Sequence, residues 1–103
     1  MNHISPKQIT DWQKEGKDFA LLDVREEYEH EAYNIGGILM PMSDLMSGST
    51  NIPQDIPVIV YCEKGIRSVI AIQRLEAAGF ANLYNLQGGM KAWKNWLSTQ
   101  QAL

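Results

Sequence analysis

The chain has 103 residues, a net charge of −3 at neutral pH, 45% apolar and 20% charged residues. That is enough to bury roughly 60 to 70% of the unfolded surface in one core, so a single domain over 1–103 is expected rather than a disordered or stapled chain. An acidic balance argues against nucleic acid as a partner, because displacing counterions from phosphates needs a basic face.

The opening MNHISPKQ lacks the basic and apolar regions of a signal peptide, which makes a cytoplasmic location the expectation. Ser5-Pro6-Lys7-Gln8 combines an N-cap serine, a proline at the first helical position and a glutamine three residues after the cap. A helix is predicted from there to about Glu15, with Gly16 as its stop. Phe19 to Val24 is a short apolar run of the kind that forms a buried parallel strand. Arg25 to Ala32 is polar and fits one or two helical turns; Gly36-Gly37 breaks the chain, and Ile38-Leu39-Met40 reads as a second strand ended by Pro41. The longest nearly apolar run, Ile35 to Met42, falls far short of the ~20 residues a membrane helix needs, so no membrane partner is expected. Ser43 is placed to cap a short helix through Met46, and the segment Gly48 to Pro57 reads as a surface loop.

Val58-Ile59-Val60-Tyr61, rich in β-branched residues and bounded by Pro57 and Gly65, is the best strand candidate. From about Ile66 to Ala78 a helix would place Ala71, Ile72, Leu75 and Ala78 on one face, with Gly79 as its stop. Leu83 to Leu86 gives a last strand, and Met90 to Ser98 a last helix with Met90, Trp93 and Leu97 inward. Strands alternating with helices at these lengths imply parallel pairing and an α/β layered domain. Ligands in such sheets sit beyond the carboxyl ends of strands, which is where Cys62 falls.

Cys62 is the chain's only cysteine. No internal disulfide can form, the paired thiolates of structural zinc are lacking, and no metal site is expected. The segment Cys62-Glu63-Lys64-Gly65-Ile66-Arg67-Ser68 joins a strand end to a helix start, so successive backbone N–H groups can point into one concavity around the sulfur. Gly65 permits the tight turn, while Lys64 and Arg67 can add positive charge near a thiolate. A helix terminus contributes roughly 0.3 to 2 kcal/mol, which moves a thiol that titrates near ~8.5 by at most about 1.5 units. Loop hydrogen bonds and the charge of Lys64 or Arg67 are therefore expected to complete the ionisation.

CEKGIRS resembles the active-site loop of rhodanese domains, LLDVREEYE resembles their other signature and is followed by IGG, and GFANLYNLQGGMKAW resembles their closing segment. The likeness runs from about Ile4 to Leu97. It implies a three-layer rhodanese-like fold of the α/β class, a mainly parallel sheet flanked by helices on both faces. It also implies a sulfurtransferase in which Cys62 takes the outer sulfur of a donor such as thiosulfate and holds it as a persulfide. Glu63, Lys64, Gly65, Ile66, Arg67 and Ser68 would bind the substrate, with Lys64 favouring a small dianionic donor. The acceptor would be cyanide, a small thiol or a protein thiol. No metal or organic cofactor is implied, and a monomer or weak dimer is expected.

Two other readings compete. One is a persulfide carrier or interaction module of the same fold, loaded by a partner protein. The other is a phosphatase or arsenate reductase, but the related phosphatases use a Cys-x5-Arg loop wide enough for phosphate, whereas four residues separate Cys62 from Arg67; the arsenate reductases need a resolving cysteine that this chain lacks.

Asp23, Arg25 and Glu26 are read as structural pairing near the site rather than as catalysts. His30 is assigned no general-base role, since sulfur transfer between thiolates needs little proton management, and His3 carries still less weight. Trp12, Trp93 and Trp96 are expected to pack in the core, Trp96 partly exposed, and Met40, Met42 and Met46 to fill gaps. Tyr33-Asn34 stands where many rhodanese domains carry Gly-His, and the segment to Pro41 is one residue short, which alters a loop beside the site and hence acceptor docking.

Overall fold

The structure is a computed structural model that describes residues 1–101. Its elements are β1 (Asn2–Ile4), α1 (Pro6–Lys14), β2 (Ala20–Asp23), α2 (Glu27–Ala32), β3 (Ile38–Leu39), α3 (Leu45–Gly48), β4 (Val58–Tyr61), α4 (Ile66–Ala77), β5 (Leu83–Leu86) and α5 (Gly89–Gln101), with 3-10 turns on either side of α3. The five strands form one sheet in the order β1-β5-β4-β2-β3, and every pairing is parallel.

Alternation along the strands divides the apolar residues between two faces. Leu22, Val58, Val60, Cys62 and Leu83 pack on one side with Leu45, Ala71, Ile72 and Leu75 from α3 and α4. On the other side Ile4, Ile59, Tyr61 and Leu86 pack with Ile9 of α1 and Met90 and Trp93 of α5. The result is the expected three-layer arrangement. Trp12 lies edge-on to Tyr84 at 5.4 Å and Trp96 is half-buried, so the tryptophans serve packing as anticipated.

Local signals account for the helix starts. The Gln8 N–H donates to Ser5 Oγ at 3.2 Å and the Ser5 N–H donates back to Gln8 Oε1 at 2.9 Å, the reciprocal cap that the spacing predicts. Five features differ from the sequence reading. β1 carries no sequence signal, since only Ile4 of its three residues is buried; pairing with β5 makes it a strand. Ser43 does not cap a helix: Pro41 starts a 3-10 turn over Met42–Asp44, and α3 begins at Leu45. The segment after α3 is anchored by buried Ile52 rather than lying wholly on the surface. Ala78 falls just past the end of α4 and is exposed. Met40 fills the core but Met46 is exposed.

Going from β2, the chain adds β3 on one side and then crosses to β4 on the other. The β2–β4 boundary is thus the switch point of the sheet, where a crevice opens at the carboxyl ends. Asp23 and Tyr61 are aligned there, which sets the Arg25 and Cys62 segments side by side.

Candidate active site

Cys62 follows directly on β4, and α4 begins four residues later at Ile66. The intervening turn closes through Gly65, whose φ of +92° lies in the left-handed region open to glycine. A side chain there would also crowd the Gly88 backbone, since its Cβ would sit 3.3 Å from the Gly88 nitrogen. The turn brings the Gly65 N–H to 3.1 Å and the Ser68 N–H to 3.3 Å from Cys62 Sγ, both donating. The first-turn amides of α5 fasten the loop from behind: the Met90 N–H donates to the Cys62 carbonyl at 2.9 Å and the Lys91 N–H to the Glu63 carbonyl at 3.1 Å.

The cysteine is only 1% exposed and belongs to the apolar cluster beneath the sheet, more enclosed than an open nucleophile. Its access is an open cleft of about 380 Å³ lined by Glu29, Cys62, Glu63, Lys64, Ile66 and Arg67. Of the loop residues singled out in the sequence, Glu63, Lys64, Ile66 and Arg67 thus form the mouth. Gly65 and Ser68 face the sulfur instead.

Arg67 departs from expectation. Its guanidinium is clamped by both oxygens of Glu29 at 2.7 and 2.9 Å, which compensates the charge it was expected to offer the sulfur. The pairing holds the Glu29 carboxyl down at about 2 and raises Arg67 further. Lys64, exposed on the loop, forms no ion pair among the described residues. Glu29 closes the LLDVREEYE segment, but nothing in that segment marks it as the partner of Arg67; α2 has to dock before the two can meet.

Beside the loop, Arg25 is buried and grips Asp23 through Nε at 2.9 Å and Nη2 at 2.8 Å, while Nη2 also donates to the Tyr33 carbonyl at 2.6 Å. Its Nη1 reaches Glu63 at 3.4 Å, so this pair steadies the cleft wall. Burial pushes the Asp23 carboxyl up, but hydrogen bonds from Arg25 and His30 outweigh it and hold Asp23 below the usual range. His30 is therefore no solvent-facing histidine: its Nδ1 lies 2.8 Å from Asp23 Oδ2. Glu26 is exposed and its N–H donates to Glu29 at 3.1 Å, at the start of α2.

Beneath the cleft lies a polar chain. Cys62 Sγ is 3.4 Å from Ser68 Oγ, the Ser68 hydroxyl donates to Asn85 Oδ1 at 2.6 Å, and Asn85 Nδ2 is 3.2 Å from His3 Nδ1. Asn85 escaped the sequence reading, although a signal existed: it occupies the core-facing parity of LYNL, where Leu83 is apolar.

Among the described residues no group of three or more His, Cys, Asp or Glu is placed to hold a metal ion, and no helix is long and apolar enough to cross a membrane.

The rhodanese-like domain pattern matches residues 5–95. The probable adenylyltransferase/sulfurtransferase MoeZ of Mycobacterium tuberculosis is 39% identical over 93 residues, covering 87% of this chain but only 24% of its own length, so the chain spans about a quarter of that relative. The thiosulfate sulfurtransferase GlpE of Coxiella burnetii is 34% identical over 87 residues, covering 84% of this chain and 81% of GlpE. Among solved structures, a rhodanese-like domain protein from Staphylococcus aureus superposes with a TM-score of 0.83 at 28% identity, covering 90% of this chain and 91% of its own. Because the matched span takes in both the Cys62 loop and the Asp23–Arg25 segment beside it, the chain belongs to the rhodanese-like domain family.

Proposed function

We propose that this protein is a sulfurtransferase working as one domain in the cytoplasm, with Cys62 as its sulfur carrier. The Cys62 thiolate attacks the outer sulfur of thiosulfate, the S–S bond of the donor breaks, and sulfite leaves with the bonding pair. The persulfide anion then gives its terminal sulfur to cyanide or to a thiolate, which regenerates Cys62. Both steps balance in atoms and charge without a redox cofactor. The backbone amides of residues 63 to 68 stabilise the carried sulfur, and Lys64 at the mouth attracts an anionic donor.

The observation that supports this most is the pair of loop amides, of Gly65 and Ser68, aimed at Sγ where it meets the cleft. Mass spectrometry after mixing with thiosulfate should find the protein heavier by one sulfur atom, with cyanide removing the added mass and Cys62→Ser never acquiring it. No adduct with thiosulfate, 3-mercaptopyruvate or a protein persulfide would defeat the reading.

The enclosure of Cys62 and the compensation of Arg67 by Glu29 favour a second reading, a carrier that takes sulfur from a partner protein. Its mark is slow loading from thiosulfate but rapid loading from a cysteine desulfurase persulfide.

A further inference from the structure

We propose that Asn85 is a positioning residue for Cys62, acting through the direction in which it holds the Ser68 hydroxyl. The proposal rests on the reading that Cys62 is the reactive sulfur. Ser68 and Asn85 are 0% and 3% exposed and lie outside the cleft lining, so their side chains sit behind the sulfur rather than in the path of a donor entering the cleft.

A serine hydroxyl has one proton to donate. At 2.6 Å from Asn85 Oδ1 that proton is committed to the amide, which leaves Oγ facing Sγ at 3.4 Å with its lone pairs. This arrangement suits a thiol, whose S–H can be accepted. A thiolate or persulfide anion has no proton to give and needs donors. The backbone amides of Gly65 and Ser68 supply two; the Ser68 hydroxyl becomes a third only by turning from Asn85 Oδ1. With Asn85 as it stands, that turn strands a buried carbonyl, which is costly.

Reversing the Asn85 amide removes the conflict. Nδ2 then donates to Ser68 Oγ, and Ser68 donates to the sulfur. The amide oxygen is now turned toward His3 Nδ1, which must carry a proton to satisfy it. His3 is exposed on the edge strand β1 and makes no ion pair among the described residues, so its proton exchanges with water. The charged residues that line the cleft with Cys62 are Arg67, Lys64, Glu63 and Glu29, and substitutions at Asn85 or His3 leave all four in place.

The test is the pH dependence of Cys62 alkylation by iodoacetamide in the full chain, with circular dichroism to check folding. Asn85→Leu frees the Ser68 hydroxyl for the sulfur and should lower the alkylation midpoint by about one unit, a roughly tenfold gain in thiolate below the midpoint. His3→Ala lets the amide reverse and should lower the midpoint by a smaller amount. Both shifts should vanish in a Ser68→Ala background. Midpoints equal to wild type in both variants, or shifts that survive Ser68→Ala, would overturn the proposal. If Asn85→Leu does not fold, His3→Ala decides alone, and an unchanged midpoint there counts against it. Alkylation needs no sulfur donor, so a failure of Asn85 to act and a failure of sulfur uptake are read separately.

Discussion

At the level of single residues, the cleft mouth carries two carboxylates and two cations, but they are not equivalent. Arg67 is matched by Glu29 and Glu63 lies near Arg25, which leaves Lys64 as the cation offered to an incoming anion. For the proposed reaction with thiosulfate, Lys64→Ala should therefore raise the KM with little change in kcat. Glu29→Gln should do the reverse by unmasking Arg67, lowering that KM about two- to fivefold, the range of a partly exposed ion pair. Steady-state kinetics at two salt concentrations checks both, because the gain in Glu29→Gln should shrink as salt rises. A Glu29→Gln variant with unchanged or weaker thiosulfate binding would mean that Arg67 faces away from the donor.

Among the elements, α2 and α5 hold the loop in different ways. α2 buries none of its residues, so its attachment depends on polar ties: Glu29 to Arg67 of α4, and His30 to Asp23. The Arg67 hydrogen bonds hold the Glu29 carboxyl at about 2 in the fold, against an ordinary 4.5, so its contribution is complete above the higher value and disappears as pH falls through the lower. Asp23, also held low, adds with the same sign. Thermal melts should show stability falling from about pH 4.5 down to pH 2, and Glu29→Gln should make that fall shallower, since glutamine does not titrate.

α5 acts through its start. Gly89 has φ +60°, and a Cβ there would overlap the Cys62 carbonyl oxygen and lie 2.6 Å from that of Glu63. Gly89→Ala should cost about 1 to 2 kcal/mol from the backbone alone. It should also slow the proposed sulfur uptake, because the carbonyl it displaces belongs to Cys62. Calorimetry with the mass-shift assay checks both, and a variant that is destabilised yet loads sulfur at the normal rate would uncouple α5 from the loop.

Taken whole, the chain has a radius of gyration of 13.1 Å, close to the ~13 Å expected for a compact fold of this size. Both apolar clusters share the central strand β4, which supplies Val60 to one and Ile59 to the other. Loss of either layer would expose one apolar face of that strand. Heat and denaturant should accordingly unfold the protein in one transition, with tryptophan fluorescence and far-ultraviolet dichroism superposing; two separated transitions would contradict the one-domain reading.

Much of this is legible in the sequence alone. The cap at Ser5, the β-branched run at Val58–Tyr61, the helix after Gly65 and the position of Cys62 at a strand's end all follow from short-range rules, because they depend on neighbours in the chain. β1 did not, since three residues with one buried side chain hold no period; only β5 makes them a strand. The same holds for the partners that matter most around the sulfur. Glu29 and Arg67 are 38 residues apart, and His3 and Asn85 are 82 apart. Spacing picked out the proposed nucleophile and its turn, because one loop contains both. Whether Arg67 is available, and which way the Ser68 hydroxyl points, depends on side chains from α2, β5 and β1 that meet only once the sheet is assembled.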